Sequence, residues 1–104
     1  MVKFFDNWSL IDKINHLQRR ILLNSVIYYV YDISYISDDF YDSMCKQLVQ
    51  LQEEYGDKFV DDSRFGYAFD DFDGSTGFHL YSRLNKKDKD IIKEICLWKL
   101  YKNF

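Results

Sequence analysis

"YYVYDISYISDDFYD" occupies Tyr28 to Asp42, and five of its fifteen residues are tyrosine and four are aspartate. It contains no lysine, arginine, glycine or proline. Two readings fit such a stretch: a core helix pair with an acidic rim, or a site built for a cation. The flanking sequence sets it inside a helical hairpin. Upstream, Trp8 to about Val30 reads as a helix, because Leu10, Ile14, Leu17 and Ile21 recur at steps of four, three and four. Leu22, Ser25 and Tyr28 or Tyr29 continue that face, and Asn7 or Asp6 is placed to cap it. Downstream, Asp32 to Ile36 is a short connector and Ser37 offers an N-cap. Asp38 and Asp39 fall in the first turn of a second helix, where the positive end of the dipole favours carboxylates. Phe40 or Tyr41, Met44, Leu48, Leu51 and Tyr55 form its stripe, and Gly56 follows its last turn. A connector this short predicts an antiparallel pair.

The composition changes at Asp57. "RFGYAFDDF" and "GFHLYSRL" are rich in aromatics and loosely alternating, with "DGSTG" between them. This pattern predicts a β-hairpin from about Phe65 to Leu84 with its loop near Asp73–Gly77. Asn85 is placed to cap a final helix over about residues 86–102, with Ile91, Ile92, Ile95, Trp98 and Leu100 on its apolar face. Trp98 and Tyr101 are read as core. The expected architecture is therefore one α+β domain spanning residues 1–104: a helical hairpin, a small antiparallel sheet and a C-terminal helix.

Composition narrows the function. Hydrophobic residues are 47% and aromatic residues 19% of the chain, enough to build a core at 104 residues. No run approaches about 18 apolar residues, so no membrane span is expected. The N-terminus interrupts its apolar run with charges and lacks a small-residue cleavage site, so no signal peptide is read. A net charge of −3, with basic residues scattered apart from Arg19-Arg20 and Lys86-Lys87, disfavours direct nucleic-acid binding. Cys45 and Cys96 read as free core thiols of a cytoplasmic protein, and with only His16 and His79 they make no metal set. Both histidines read as surface or satisfied side chains. No nucleophilic triad is visible.

Over about Leu17 to Asp62 the chain resembles the N-terminal Ia module of bacterial NAD-dependent DNA ligases. The residues that carry the resemblance are Tyr28, Tyr29, Asp32, Ile36, Ser37, Asp38, Tyr41 and Asp42, in register without a gap and followed by a Leu/Glu-rich helix. In that family the module closes over the nicotinamide mononucleotide half of NAD. The resemblance implies that Tyr28 and Tyr41 contact the nicotinamide ring. Tyr29 stands where many ligases carry histidine, and Asp38 and Asp42 would hydrogen-bond the nicotinamide–ribose portion. The residue types suit that ligand. The oxidised ring is a planar cation, which aromatic faces attract by about 0.5–2 kcal/mol per contact. Neighbouring carboxylates add Coulomb attraction and accept hydrogen bonds.

The departures from the family are equally informative. Adenylation needs a nucleotidyltransferase domain with a Lys-x-Asp-Gly lysine. The only Asp-Gly here lies in "DFDG", with Asp71 where that lysine would be. The chain is thus read as non-catalytic, not a ligase by itself, and requiring no cofactor of its own. It would bind nicotinamide mononucleotide or NAD alone, or complete a site on a protein partner. The alternative reading is a small accessory protein of a phage or mobile element that binds and inhibits a host ligase or a defence protein. Asp39, Asp70, Asp71 and Asp73 would then mimic phosphate charge beside Asp38 and Asp42. "DDFDGST" also resembles a phosphatase start of the haloacid dehalogenase type and half of a calcium loop. The first lacks a surrounding α/β domain, and the second has Phe69 and Leu80 where acids are needed. A hairpin turn is the reading retained.

Overall fold

The computed structural model describes residues 2–4, 6–75, 77 and 79–102. In chain order it contains α1 (Leu10–Tyr29), α2 (Asp38–Tyr55), α3 (Phe59–Asp62), a 3-10 turn (Gly66–Ala68), α4 (Leu80–Arg83) and α5 (Lys86–Lys102).

α1 starts two residues later than Trp8 and is capped by Ser9, not by Asp6 or Asn7. The Ser9 hydroxyl accepts from the Asp12 N–H while the Asp12 carboxylate accepts from the Ser9 N–H, a reciprocal capping box. Its N-terminal half is amphipathic, with Ile14, Leu17 and Gln18 buried. From Ile21 to Ile27 every residue is buried. A helix enclosed on all sides is a central helix. α2 packs along one side of it, and α4 and α5 pack along the others.

α2 has the expected limits. The Ser37 hydroxyl accepts from Phe40 N–H at 3.1 Å, and Asp38 and Asp39 occupy the first turn. Gly56 ends the helix at φ 94°, a conformation that costs glycine little. Met44, Cys45, Leu48 and Gln52 are its buried face. The connector from α1 turns at Asp32, whose φ of 55° is left-handed, a region aspartate tolerates better than most residues.

The β-hairpin expected over about Phe65–Leu84 is not formed, and the fold is helical rather than α+β. No strand occurs among the described residues. Thr76 and Phe78, part of the expected turn and second strand, lie outside them. The reason is visible in burial. Arg64, Tyr67 and Asp70 are exposed, while Phe65, Gly66, Ala68 and Phe69 between them are buried. That period is three, which suits 3-10 geometry; a half-buried strand would alternate every two. The aromatic content that suggests strands instead fills the core beside α1: Phe69 is fully buried and meets Phe72 edge-on at 5.1 Å. Burial here overrides β-propensity.

α5 spans the expected residues, and Asn85 Oδ1 caps it by accepting from Asp88 N–H at 2.8 Å. Its buried seam is Asp88, Ile92, Cys96 and Leu100, a strict step of four. Trp98, two residues from Cys96 and so about 200° around the helix, is 61% exposed. Tyr101 is 84% exposed, so the expectation that Trp98 and Tyr101 are core is corrected. Both cysteines are buried and unbridged.

Candidate functional site

The last turn of α1, the connector and the first turn of α2 enclose a cavity of about 250 Å³. All five residues expected to hold a ligand line it: Tyr28, Tyr29, Asp38, Tyr41 and Asp42. Helical spacing explains their convergence. Tyr28 and Tyr29 are the last residues of α1, while Asp38, Tyr41 and Asp42 share one face of α2 at steps of three and four. The two helices run antiparallel, so these ends meet across the short connector.

The tyrosines play different parts. Tyr28 and Tyr29 are half exposed and stand edge to face, with ring centroids 4.9 Å apart. Tyr41 is sunk between the helices, and its hydroxyl shares a hydrogen bond of 2.5 Å with the buried Ser25 hydroxyl. Burial holds the Tyr41 phenol well above the ordinary tyrosine range, so it stays neutral at physiological pH. Asp38 and Asp42 are solvent-exposed at the rim. The mouth therefore offers aromatic faces and carboxylates, and the floor offers neutral hydrogen-bonding groups.

Five further residues line the cavity: Asn24, Ser25, Tyr35, Ile36 and Ser75. Asn24 and Ser25 lie one helical turn before Tyr28, so the helical projection of α1 places them there. Ser75 comes from the loop before α4 and no local pattern points to it. In that loop Asp73 accepts from the Ser75 N–H at 2.9 Å and from its hydroxyl at 2.6 Å, a closed Asx-type turn. Gly77, two residues on, is buried where a Cβ would overlap the Tyr41 and Ser25 oxygens.

The acids suggested for partner binding do not join this cavity. Asp39 and Asp70 are exposed, and neither lines it. Asp71 is paired with Arg83, which holds its carboxyl below the usual range. Asp73 is engaged by Ser75, which also lowers it. His16 sits against Trp8 at 5.2 Å, and burial followed by the charges of Arg20, Arg19 and Lys99 lowers its pKa. His79 precedes α4 rather than lying in a strand. Cys45 lies beneath the site, and burial pushes its thiol up to about 12, which leaves it unreactive. Among the described residues no three histidine, cysteine or acidic side chains gather as a metal set, and no helix is long and apolar enough to cross a membrane.

No curated protein and no solved structure matches the chain. A family match, in contrast, covers residues 8–64, which is α1, α2 and α3 with the whole of the helical wall of the cavity. That span is more than half of the 104 residues, and the chain belongs to the family described as DNA ligase-like, N-terminal NAD+-binding domain.

Proposed function

We propose that this chain is a non-catalytic module that binds the nicotinamide mononucleotide half of NAD in the cavity between α1 and α2. The observation that carries the reading is the meeting of Tyr28, Tyr29, Asp38, Tyr41 and Asp42 on one cavity. Half-exposed phenol rings attract a planar pyridinium through their quadrupole. Asp38 and Asp42 add charge of the opposite sign and accept from ribose hydroxyls. Tyr41 contributes its ring more than its hydroxyl, because that hydroxyl is bonded to Ser25.

Binding by the chain alone is favoured over completion of a partner's site. Ser75, from beyond the family-matched residues, supplies a further wall of the cavity. The affinity expected is weak, in the millimolar to micromolar range, because half-exposed rings leave much of the ligand solvated. The free thiols Cys45 and Cys96 fit a cytoplasmic setting.

The test is a titration of the labelled full chain with nicotinamide mononucleotide and with NAD, followed by two-dimensional amide NMR. Shifts should cluster at residues 28–29 and 38–42 and vanish in Asp42→Asn. An unchanged spectrum at millimolar ligand overturns the reading.

A further inference from the structure

We propose that Asn24 is the residue by which the cavity distinguishes a pyridine carboxamide from the corresponding carboxylic acid. The proposal rests on the nicotinamide-nucleotide reading above and assigns the ligand's amide group to a particular acceptor. Asn24 is 7% exposed and forms part of the cavity wall. Its Nδ2 donates to the Arg20 carbonyl at 2.8 Å. A carbonyl can only accept, so this bond fixes which way the amide is turned. The Oδ1 is therefore the end left over. Among the described residues it is the one buried side-chain polar atom without a hydrogen-bond partner, and it is closed to solvent, so a ligand donor reaches it only as the cavity wall yields around it. A buried acceptor in that state is uncommon in folded proteins and calls for a donor.

The rest of the wall sharpens the choice. Asp38 and Asp42 also line the cavity, and an ionised carboxylate only accepts. The Ser25 and Tyr41 hydroxyls are bonded to each other. Asn24 Oδ1, Asp38 and Asp42 thus give the wall three groups that only accept, beside hydroxyls that can donate or accept. A primary carboxamide brings two N–H donors to such a wall. A carboxylate brings none and adds a negative charge near two others, so a nicotinate nucleotide is rejected. Because the mouth carboxylates repel the acid whatever Asn24 does, the part due to Asn24 appears as the change in preference when only that side chain is altered.

The experiment compares nicotinamide mononucleotide with nicotinic acid mononucleotide on the full chain, for the unaltered protein and Asn24→Leu, by amide NMR titration. The side-chain NH2 resonances of Asn24 are followed in the same spectra. In the unaltered protein the amide nucleotide should shift those resonances and the acid should not. In Asn24→Leu the preference for the amide should fall by about tenfold, the weight of one hydrogen bond to a buried group, while the shifts at Tyr28 remain. The side-chain resonances decide the matter even where the leucine variant is unstable. If both nucleotides bind and Asn24 is silent, or if the preference survives the substitution, a bound water serves the Oδ1 and the assignment is overturned with the ligand reading intact. If neither nucleotide binds, both fall together.

Discussion

Tyr41 stands where three parts of the chain meet. Its ring rises from α2, its hydroxyl reaches Ser25 of α1, and the backbone at Gly77 packs against both oxygens. Glycine is required at 77 by closeness, since a Cβ would enter space those two atoms occupy. Neither oxygen can retreat cheaply. Ser25 sits on a helix buried all round, and Tyr41 is wedged between two helices. Gly77→Ala should therefore separate the loop from the cavity floor. The expected loss is about 1–3 kcal/mol of stability, as for other insertions into tight packing. Urea denaturation measures it as a lower midpoint at unchanged slope. A midpoint equal to that of the unaltered protein would mean that the loop is free to lift away, and that the cavity lacks a fixed third wall.

At the scale of elements, charge helps to hold the junction between the 3-10 segment and α5. Asp88 is buried, and its carboxylate accepts from Arg64 Nη1 at 3.1 Å, from Arg64 Nη2 at 2.5 Å and from the Tyr67 hydroxyl at 2.5 Å. The Arg64 guanidinium holds its carboxyl below the ordinary aspartate range, and the Tyr67 bond acts in the same direction. The unfolded chain titrates this group near 3.9. A depressed folded value means that the contribution is complete above about pH 4 and disappears as the pH falls through the folded value. Arg64 is half exposed, so solvent screens part of the attraction. Asp88→Asn should cost about 1–3 kcal/mol at pH 7 and flatten the acid limb, read from urea midpoints at pH 7 and pH 3. Parallel pH profiles for the two proteins would show that the junction is held by packing alone. Tyr67 is also one of the residues whose exposure defeats the strand reading of this region. Its neighbours follow a period of three, which needs only the positions of Arg64, Tyr67 and Asp70 to be noticed, yet the density of aromatics draws attention to strands. Where an element is punctuated by a cap, as at Ser37, Gly56 and Asn85, its limits are legible in the sequence, because capping is local chemistry. The five residues expected to hold a ligand come instead from the resemblance to the ligase Ia module, whose motif lies within one short stretch of sequence. Asn24 and Ser25 follow by helical projection from Tyr28. Ser75 and Gly77 do not, because only tertiary packing brings their loop to α1 and α2.

Over the whole molecule, the boundary of the family match and the boundary of the core do not coincide. The match ends at residue 64, but the hydrophobic core continues through Phe65, Phe69, Leu80, Leu84, Ile92 and Leu100. α1 spans that boundary. Its Gln18 is buried, donating to Gln52 and Ser63 within the matched span, and accepting from the Phe65 N–H just past it at 3.2 Å. The Leu23 carbonyl accepts from the Cys96 thiol at 3.5 Å, so α5 lies directly on α1. Ending the chain at residue 64 would expose the side of α1 that α4 and α5 cover. Each large side chain lost from the interface carries about 1.5–3 kcal/mol of burial. A small domain is stable by only about 5–15 kcal/mol, so losing several such side chains removes its margin. The fragment 1–64 should therefore lack a cooperative thermal transition by circular dichroism and give a poorly dispersed amide spectrum, whereas the full chain gives both. A fragment that melts cooperatively would place the structural unit within the matched residues and reduce residues 65–102 to an appendage. On the expected outcome, the segment beyond the match does two things at once. It closes the hydrophobic core around α1, and through Ser75 and Gly77 it sets the wall of the cavity that α1 and α2 leave open.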